Sequence, residues 1–336
     1  MGIKDYLKYI PQEYPQEKSR DYDYVYLDCN YMIHFLIYKC NTDADLYSKV
    51  FDYWNYLSST IQIKKEIFLI FDGEYDTGEL DNPKYQTHLL RAKAKPKSDD
   101  YDKQSIHPGS QILKTFKDYL LDVIGKYKKI NKLKFQITVN SDEIKGEADI
   151  KILNEIYYSD QNNVCICSKD SDMILIAQSL CIGKSIRIDI LSNFRPIKFI
   201  SVSKFDVYGM DYVLIVLLLG NDYLPKISNI TYTGLAKSYD KYIKFNDPII
   251  SNNQINYNNF VNYISYVVTN SNKKIKFKFS NINPNRFSIY FNNITWCLKY
   301  YKVITNQNKY IQEKPDVDGK VKLSNVINIY NFINYA

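Results

Sequence analysis

Val25-Tyr26-Leu27-Asp28 is a short apolar run that ends on a carboxylate. The pattern recurs in Ile67-Phe68-Leu69-Ile70-Phe71-Asp72 and in Val164-Cys165-Ile166-Cys167-Ser168-Lys169-Asp170. Short β-branched and aromatic runs bounded by polar residues predict strands buried on both faces. Such strands belong to parallel sheets, so an α/β fold is expected, with a mostly parallel twisted central sheet flanked by helices. In an open parallel sheet, ligands bind just beyond the carboxyl ends of the strands. Carboxylates repeated at that edge repel one another unless cations sit among them, and their oxygens suit Mg²⁺ or Mn²⁺. The expectation is a metal-dependent phosphoryl-transfer site.

Outward from these runs, the spacing predicts a strand over Asp23–Asp28, helical pattern through Asp45–Thr60, and a strand ending at Asp72. A basic stretch, Lys84–Lys97, follows. Pro108-Gly109-Ser110 then opens an amphipathic helix over Gln111–Lys128, with Ser110 as its N-cap. Phe135–Val139 reads as a strand, Gly146–Tyr158 and Met173–Ser179 as helices, and Ser185–Leu191 and Lys198–Val202 as further strands. Asp211–Leu219 reads as a buried helix running into Gly220-Asn221-Asp222. Beyond about residue 230 the chain becomes Asn-rich. Lys273–Phe279 alternates lysine with apolar residues, either as a strand with a basic face or as an edge guarded by lysine. A core at 1–230 and an accessory C-terminal region at 231–336 are expected.

The 336 residues are 45% hydrophobic, enough for a packed interior, which excludes global disorder. No apolar run approaches the roughly 20 residues of a membrane span, so a cytoplasmic protein is expected. The six cysteines include no C-x-x-C pair, and there are three histidines, so reduced core thiols are favoured over zinc or disulfides. A net charge of +7 is compatible with a nucleic-acid partner. The 33 tyrosines and the Asn-, Ile- and Lys-crowded stretches point equally to an AT-rich coding sequence, which weakens that inference.

Besides the three strand-end acids, Glu147 and Asp149 open a helix, Asp172 lies two residues after Asp170, and Asp222 follows Gly220-Asn221. Any one alone is more often a cap or turn residue. Seven placed at strand ends and helix starts fit a pair of divalent ions, each neutralised yet open to water and phosphate.

Met1-Gly2-Ile3, Leu27-Asp28-Cys29-Asn30-Tyr31-Met32-Ile33-His34, Phe71-Asp72-Gly73, Ile106-His107-Pro108-Gly109-Ser110, Gly146-Glu147-Ala148-Asp149-Ile150-Lys151-Ile152, Lys169-Asp170-Ser171-Asp172-Met173-Ile174 and Gly220-Asn221-Asp222-Tyr223-Leu224-Pro225 occur in this order. Together they resemble the catalytic region of Xrn-type 5′→3′ exoribonucleases, relatives of the flap endonucleases. The resemblance covers about residues 1–230 and is fragmentary afterwards. It implies a Mg²⁺-dependent (or Mn²⁺-dependent) two-ion nuclease acting on 5′-monophosphorylated single-stranded RNA. Asp28, Asp72, Glu147, Asp149, Asp170, Asp172 and Asp222 would be the metal-site carboxylates. The family's Glu-x-Glu is Glu147-x-Asp149 here, and Ile150 stands where the family has His.

The same resemblance implies a 5′-phosphate pocket on the helix after the second strand, where Lys84, His88 and Arg91 share a face. A shifted alignment uses Lys93 and Lys97 instead. Asn30 lies in the motif after the first strand and is carried over as substrate-binding. His34 matches a histidine that stacks on the 5′ base, and Trp296 the tryptophan facing it. Two other functions stand against the exoribonuclease. A DNA flap endonuclease would need a Gly-rich helix–hairpin–helix after the last catalytic Asp, and Lys226–Lys237 holds only Gly234. A non-catalytic RNA-binding protein would keep a costly acidic cluster without its cations.

Overall fold

The computed structural model describes residues 3, 6, 10–14, 19–38, 40–73, 106–168, 170–182, 184–191, 198–202, 209–221, 224, 231–252, 254–269 and 285–300. Lys84, His88, Arg91, Lys93, Lys97, Asp222 and the alternating segment Lys273–Phe279 lie outside these residues. The chain forms two compact units, one of residues 11–204 and one of residues 1–10 with 205–336.

The first unit is built on a six-stranded sheet of order β3-β2-β1-β4-β5-β6. Its strands are β1 (Arg20–Asp28), β2 (Ile61–Ile70), β3 (Gln136–Asn140), β4 (Asn163–Cys167), β5 (Arg187–Leu191) and β6 (Phe199–Ser201). The first five run parallel and only β6 is antiparallel to its neighbour. The last four residues of β1, β2 and β4 are buried, as strands covered on both faces require. The chain enters at β1, builds outward through β2 and β3, then crosses back to place β4 on the other side of β1. That reversal makes the crevice beyond the carboxyl ends of β1 and β4 the place where such sheets bind ligands.

Helices α1 (Cys29–Leu36), α2 (Asp43–Thr60) and α3 (Gln111–Ile130) cover one face. Leu46, Val50, Trp54 and Leu57 of α2 and Phe116, Leu120 and Ile124 of α3 form one core with Val25, Leu27, Ile67 and Leu69. Tyr26 and Phe68, one residue out of phase, stack ring on ring at 4.5 Å. Helices α4 (Ala148–Tyr157) and α5 (Ser171–Cys181) pack on each other, α4 also against β1 and β2 and α5 against β5. Thr42 opens α2 with a reciprocal capping box to Asp45. Ser110 caps α3 as its sequence predicts.

Several boundaries differ from expectation for local reasons. β1 begins at Arg20 because Arg20–Tyr22 also pair with β2 before a register shift. β2 stops at Ile70, so Asp72 lies two residues past the strand, its amide donating to the Asn30 side chain. α4 starts at Ala148 because Gly146 is left-handed at φ 100°, a backbone that ends any helix there. All six cysteines are buried. No described helix is long and apolar enough to cross a membrane.

The second unit contains α6 (Gly209–Leu217), α7 (Tyr232–Tyr242), the hairpin β7 (Ile250–Ser251) and β8 (Gln254–Ile255), α8 (Tyr257–Thr269) and α9 (Asn285–Tyr300). Buried Asp211 on α6 accepts from the Tyr239 hydroxyl and from the amides of Ile249 and Ile250. This carboxylate fastens the start of the hairpin to α6.

Candidate active site at the carboxyl edge of the sheet

Register brings the acids to one row. Asp28 pairs with Ile70, Ile70 with Asn140, and Leu27 with Cys167, so three loops leave the sheet at the same level. Asp28 closes β1 and is also the N-cap of α1, accepting the Tyr31 amide at 3.0 Å. Asp170 caps α5 and accepts from the Asp172 amide at 3.2 Å. Glu147 occupies the N-cap position of α4 without a side-chain capping bond. The positive ends of three helices therefore face the acidic edge and partly offset its charge.

Ser168 ties two of the segments together. Its hydroxyl donates to Asp28 Oδ2 at 2.9 Å and accepts the Asp170 amide at 3.2 Å. Asp72 is held from both sides, by Asn30 on its amide at 2.9 Å and by the Ala148 amide on its Oδ1 at 2.7 Å. Asp149 accepts the Ile150 amide at 2.8 Å. Glu147, Asp172 and Asp28 are 5%, 2% and 8% exposed, so all three sit in the protein rather than on its surface.

The electrostatics show which acids sense each other. Burial first, and then the charges of Asp72 and Asp149, push the Asp28 carboxyl up to about 7, against the Tyr31 amide and the Ser168 hydroxyl. Burial also raises the Tyr31 phenol, with Asp28 and Asp170 adding to it. Asp28, Asp72, Asp149 and Asp170 thus lie within electrostatic reach around one strand end. Among the described residues Asp28 makes no ion pair. Also among the described residues, no three His, Cys, Asp or Glu groups converge closely enough to hold an ion as they stand.

The remaining expected residues fall as follows. His34 lies in the last turn of α1 and is partly exposed. Asn30 is buried, with its oxygen committed to Asp72. Trp296 is a partly exposed residue of α9 in the second unit. In that unit the buried Asn221 accepts the Leu224 amide on its Oδ1 at 2.7 Å. Its side-chain nitrogen lies 4.0 Å from Cys297 Sγ, next to Trp296.

Sequence reasoning missed Ser168 and Lys151. Ser168 left no signal beyond its place between β4 and Asp170. Lys151 left a usable one, a lysine among Ala148, Ile152, Leu153 and Ile156 on the buried side of α4. Burial pushes its ammonium down to about 8, opposed by Asp72 and Asp142.

The profile described as the XRN 5′-3′ exonuclease N-terminus matches residues 1–77 and 74–191. The 5′-3′ exoribonuclease 1 of Saccharomyces cerevisiae is 21% identical over 301 residues, 68% of this chain and 20% of the yeast protein. Its Schizosaccharomyces pombe counterpart is 21% identical over 316 residues, 73% of this chain and 24% of that protein. The chain therefore spans only a fifth to a quarter of these relatives. Among solved structures, the catalytic core of Rad2 in complex with DNA substrate aligns at TM-score 0.43 and 11% identity, covering 91% of this chain and 82% of that one. T5 5′-exonuclease with bound zinc aligns at 0.42 and 12%, covering 84% and 90%. With the profile spanning residues 1–191, more than half of its length, this chain belongs to the XRN 5′-3′ exonuclease N-terminus family.

Proposed function

We propose that this chain is a 5′→3′ exoribonuclease that hydrolyses 5′-monophosphorylated single-stranded RNA with two Mg²⁺ or Mn²⁺ ions. One observation carries this above the rest: Asp28 stands at the crossover of a parallel sheet, raised by burial and by the charges of Asp72 and Asp149. Hard divalent cations relieve that repulsion, and the donor set is all oxygen, as Mg²⁺ prefers. The proposed ligands are Asp28, Asp72, Glu147, Asp149, Asp170, Asp172 and Asp222. Residues 1–230 form the proposed catalytic core and 231–336 its accessory region, a functional boundary distinct from the compact units.

Bound ions would supply an activated water and neutralise the charge developing on the leaving 3′ oxygen. Water adds to the phosphorus between the first and second nucleotides, and the bond from that phosphorus to the first nucleotide's 3′ oxygen breaks. A nucleoside 5′-monophosphate departs, and the shortened RNA keeps a 5′-phosphate for the next cycle. Asn30, Ser168 and the Ala148 amide hold the carboxylates in place for this. Lys84, His88 and Arg91, or Lys93 and Lys97 in the shifted alignment, are proposed to grip the 5′-phosphate. His34 and Trp296 are proposed to stack on the first base, an interaction of roughly 1–3 kcal/mol that tolerates any sequence.

A time course with uniformly labelled RNA and DNA bearing 5′-phosphate, 5′-hydroxyl or a flap tests this. Mononucleotide release from 5′-phosphorylated RNA, abolished by EDTA and by Asp172→Ala, is expected. Cleavage only at a DNA flap junction, or no cleavage with Mg²⁺ or Mn²⁺, overturns it.

A further inference from the structure

Lys151 carries a positive charge into the interior beside the acidic edge, yet it spends none of its protons on a carboxylate. An ammonium has three N–H donors. Here they go to three backbone carbonyls, Phe71 O at 2.8 Å, Ser141 O at 3.2 Å and Ile144 O. Each acceptor belongs to a separate point of the site: the residue before Asp72, the residue after β3, and the loop leading to Glu147. The lysine's own amide bonds Glu147 O at 3.0 Å.

The surrounding backbone closes the same knot. Gly73, after Asp72, donates its amide to Gly146 O, before Glu147, at 2.8 Å. A Cβ on Gly73 would lie 1.7 Å from Ile144 O, so the two loops meet backbone to backbone. Asp72 is thus fixed on both sides to the segment that carries Glu147 and Asp149.

We propose that Lys151 is a positioning residue for the nuclease reaction, setting the separation of Asp72 from Glu147 and Asp149 through its three carbonyl bonds. This rests on the two-ion function proposed above. A neutral side chain of similar length fills the same space but leaves three carbonyls without a donor, and the loops separate. Metal affinity and turnover then fall together, while RNA affinity, which depends on other groups, stays constant.

The test compares wild type with Lys151→Met, Lys151→Gln and Lys151→Arg, using Mn²⁺ binding by electron paramagnetic resonance and steady-state kinetics on 5′-phosphorylated RNA. Circular dichroism identifies the folded variants. Removal of a group that orients ligands costs about 10–100-fold in metal affinity or activity. Lys151→Met is expected to lose that much in Mn²⁺ affinity and kcat with KM for RNA unchanged, Gln less, and Arg least. Should Lys151→Met not fold, the Gln and Arg variants carry the same ordering. Wild-type Mn²⁺ affinity and kcat in every folded variant overturn the role of Lys151 alone. Absence of Mn²⁺ binding and cleavage in wild type overturns the two-ion function, and this inference with it.

Discussion

Two buried aspartates in the same sheet, Asp28 and Asp189, live in opposite surroundings. Asp189, on β5, is fully buried and saturated by partners. It accepts from the Tyr22 hydroxyl at 2.6 Å, the Ser201 hydroxyl at 2.7 Å and Arg187 at 2.8 Å, with Arg20 at 3.5 Å. Asp28, at the carboxyl edge, has one amide, one hydroxyl and a circle of other acids. A buried charge that serves the fold is compensated in place by the protein's own cations. Acids left facing one another, as Asp28 faces Asp72 and Asp149, are the arrangement on which the proposed metal site rests. The residue type is the same; the company decides the role.

The largest effect that should separate the two is on turnover. Asp28→Asn should slow cleavage by about 10³-fold, or roughly 4 kcal/mol of lost charge stabilisation, in a protein that stays folded. Asp189→Asn should leave turnover per folded molecule near wild type. Single-turnover assays on both variants check this, and equal losses would erase the contrast.

The next effect is on stability and runs the other way. Asp189→Asn leaves Arg20 and Arg187 facing a neutral amide and should cost about 3 kcal/mol in urea unfolding. Asp28→Asn removes a strained charge and should cost little or raise stability when divalent ions are absent.

The smallest effect sharpens the comparison by pH. Asp28 holds its proton more tightly folded, at about 7, than at the ordinary value of 3.8. Between these values the native state binds more protons than the unfolded state, so stability of the ion-free protein falls as pH rises. From pH 6 to 7 the expected loss is about 1 kcal/mol. Chemical denaturation at the two pH values, with EDTA and then with Mg²⁺, measures it. Persistence of the slope in Asp28→Asn would assign it to another group.

Much of the fold around the candidate site was legible because its signals are local. An apolar run ending in an acid and a Ser after Pro-Gly each act within a turn of chain, and β4 and the start of α3 appear where they were expected. Strand ends were less legible, as at Ile70, because pairing partners decide where a ladder stops. The dual role of Asp28 and Asp170 was half legible. Each is a helix cap, as any isolated Asp is apt to be, and each also belongs to the acidic edge.

By itself, the sequence determined which segments become the strands of the six-stranded sheet, that three of their carboxyl ends lead into acids, and that the chain resembles a nuclease family. The tertiary structure alone decided the strand order that sets β4 beside β1, the compensation of Asp189 but not Asp28, and the three carbonyls gathered by Lys151. The physical reason is range. Periodicity and capping are written within a few residues, whereas Ser168 meets Asp28 across 140 positions and Lys151 meets Phe71 across 80. Such meetings exist only once the sheet has formed.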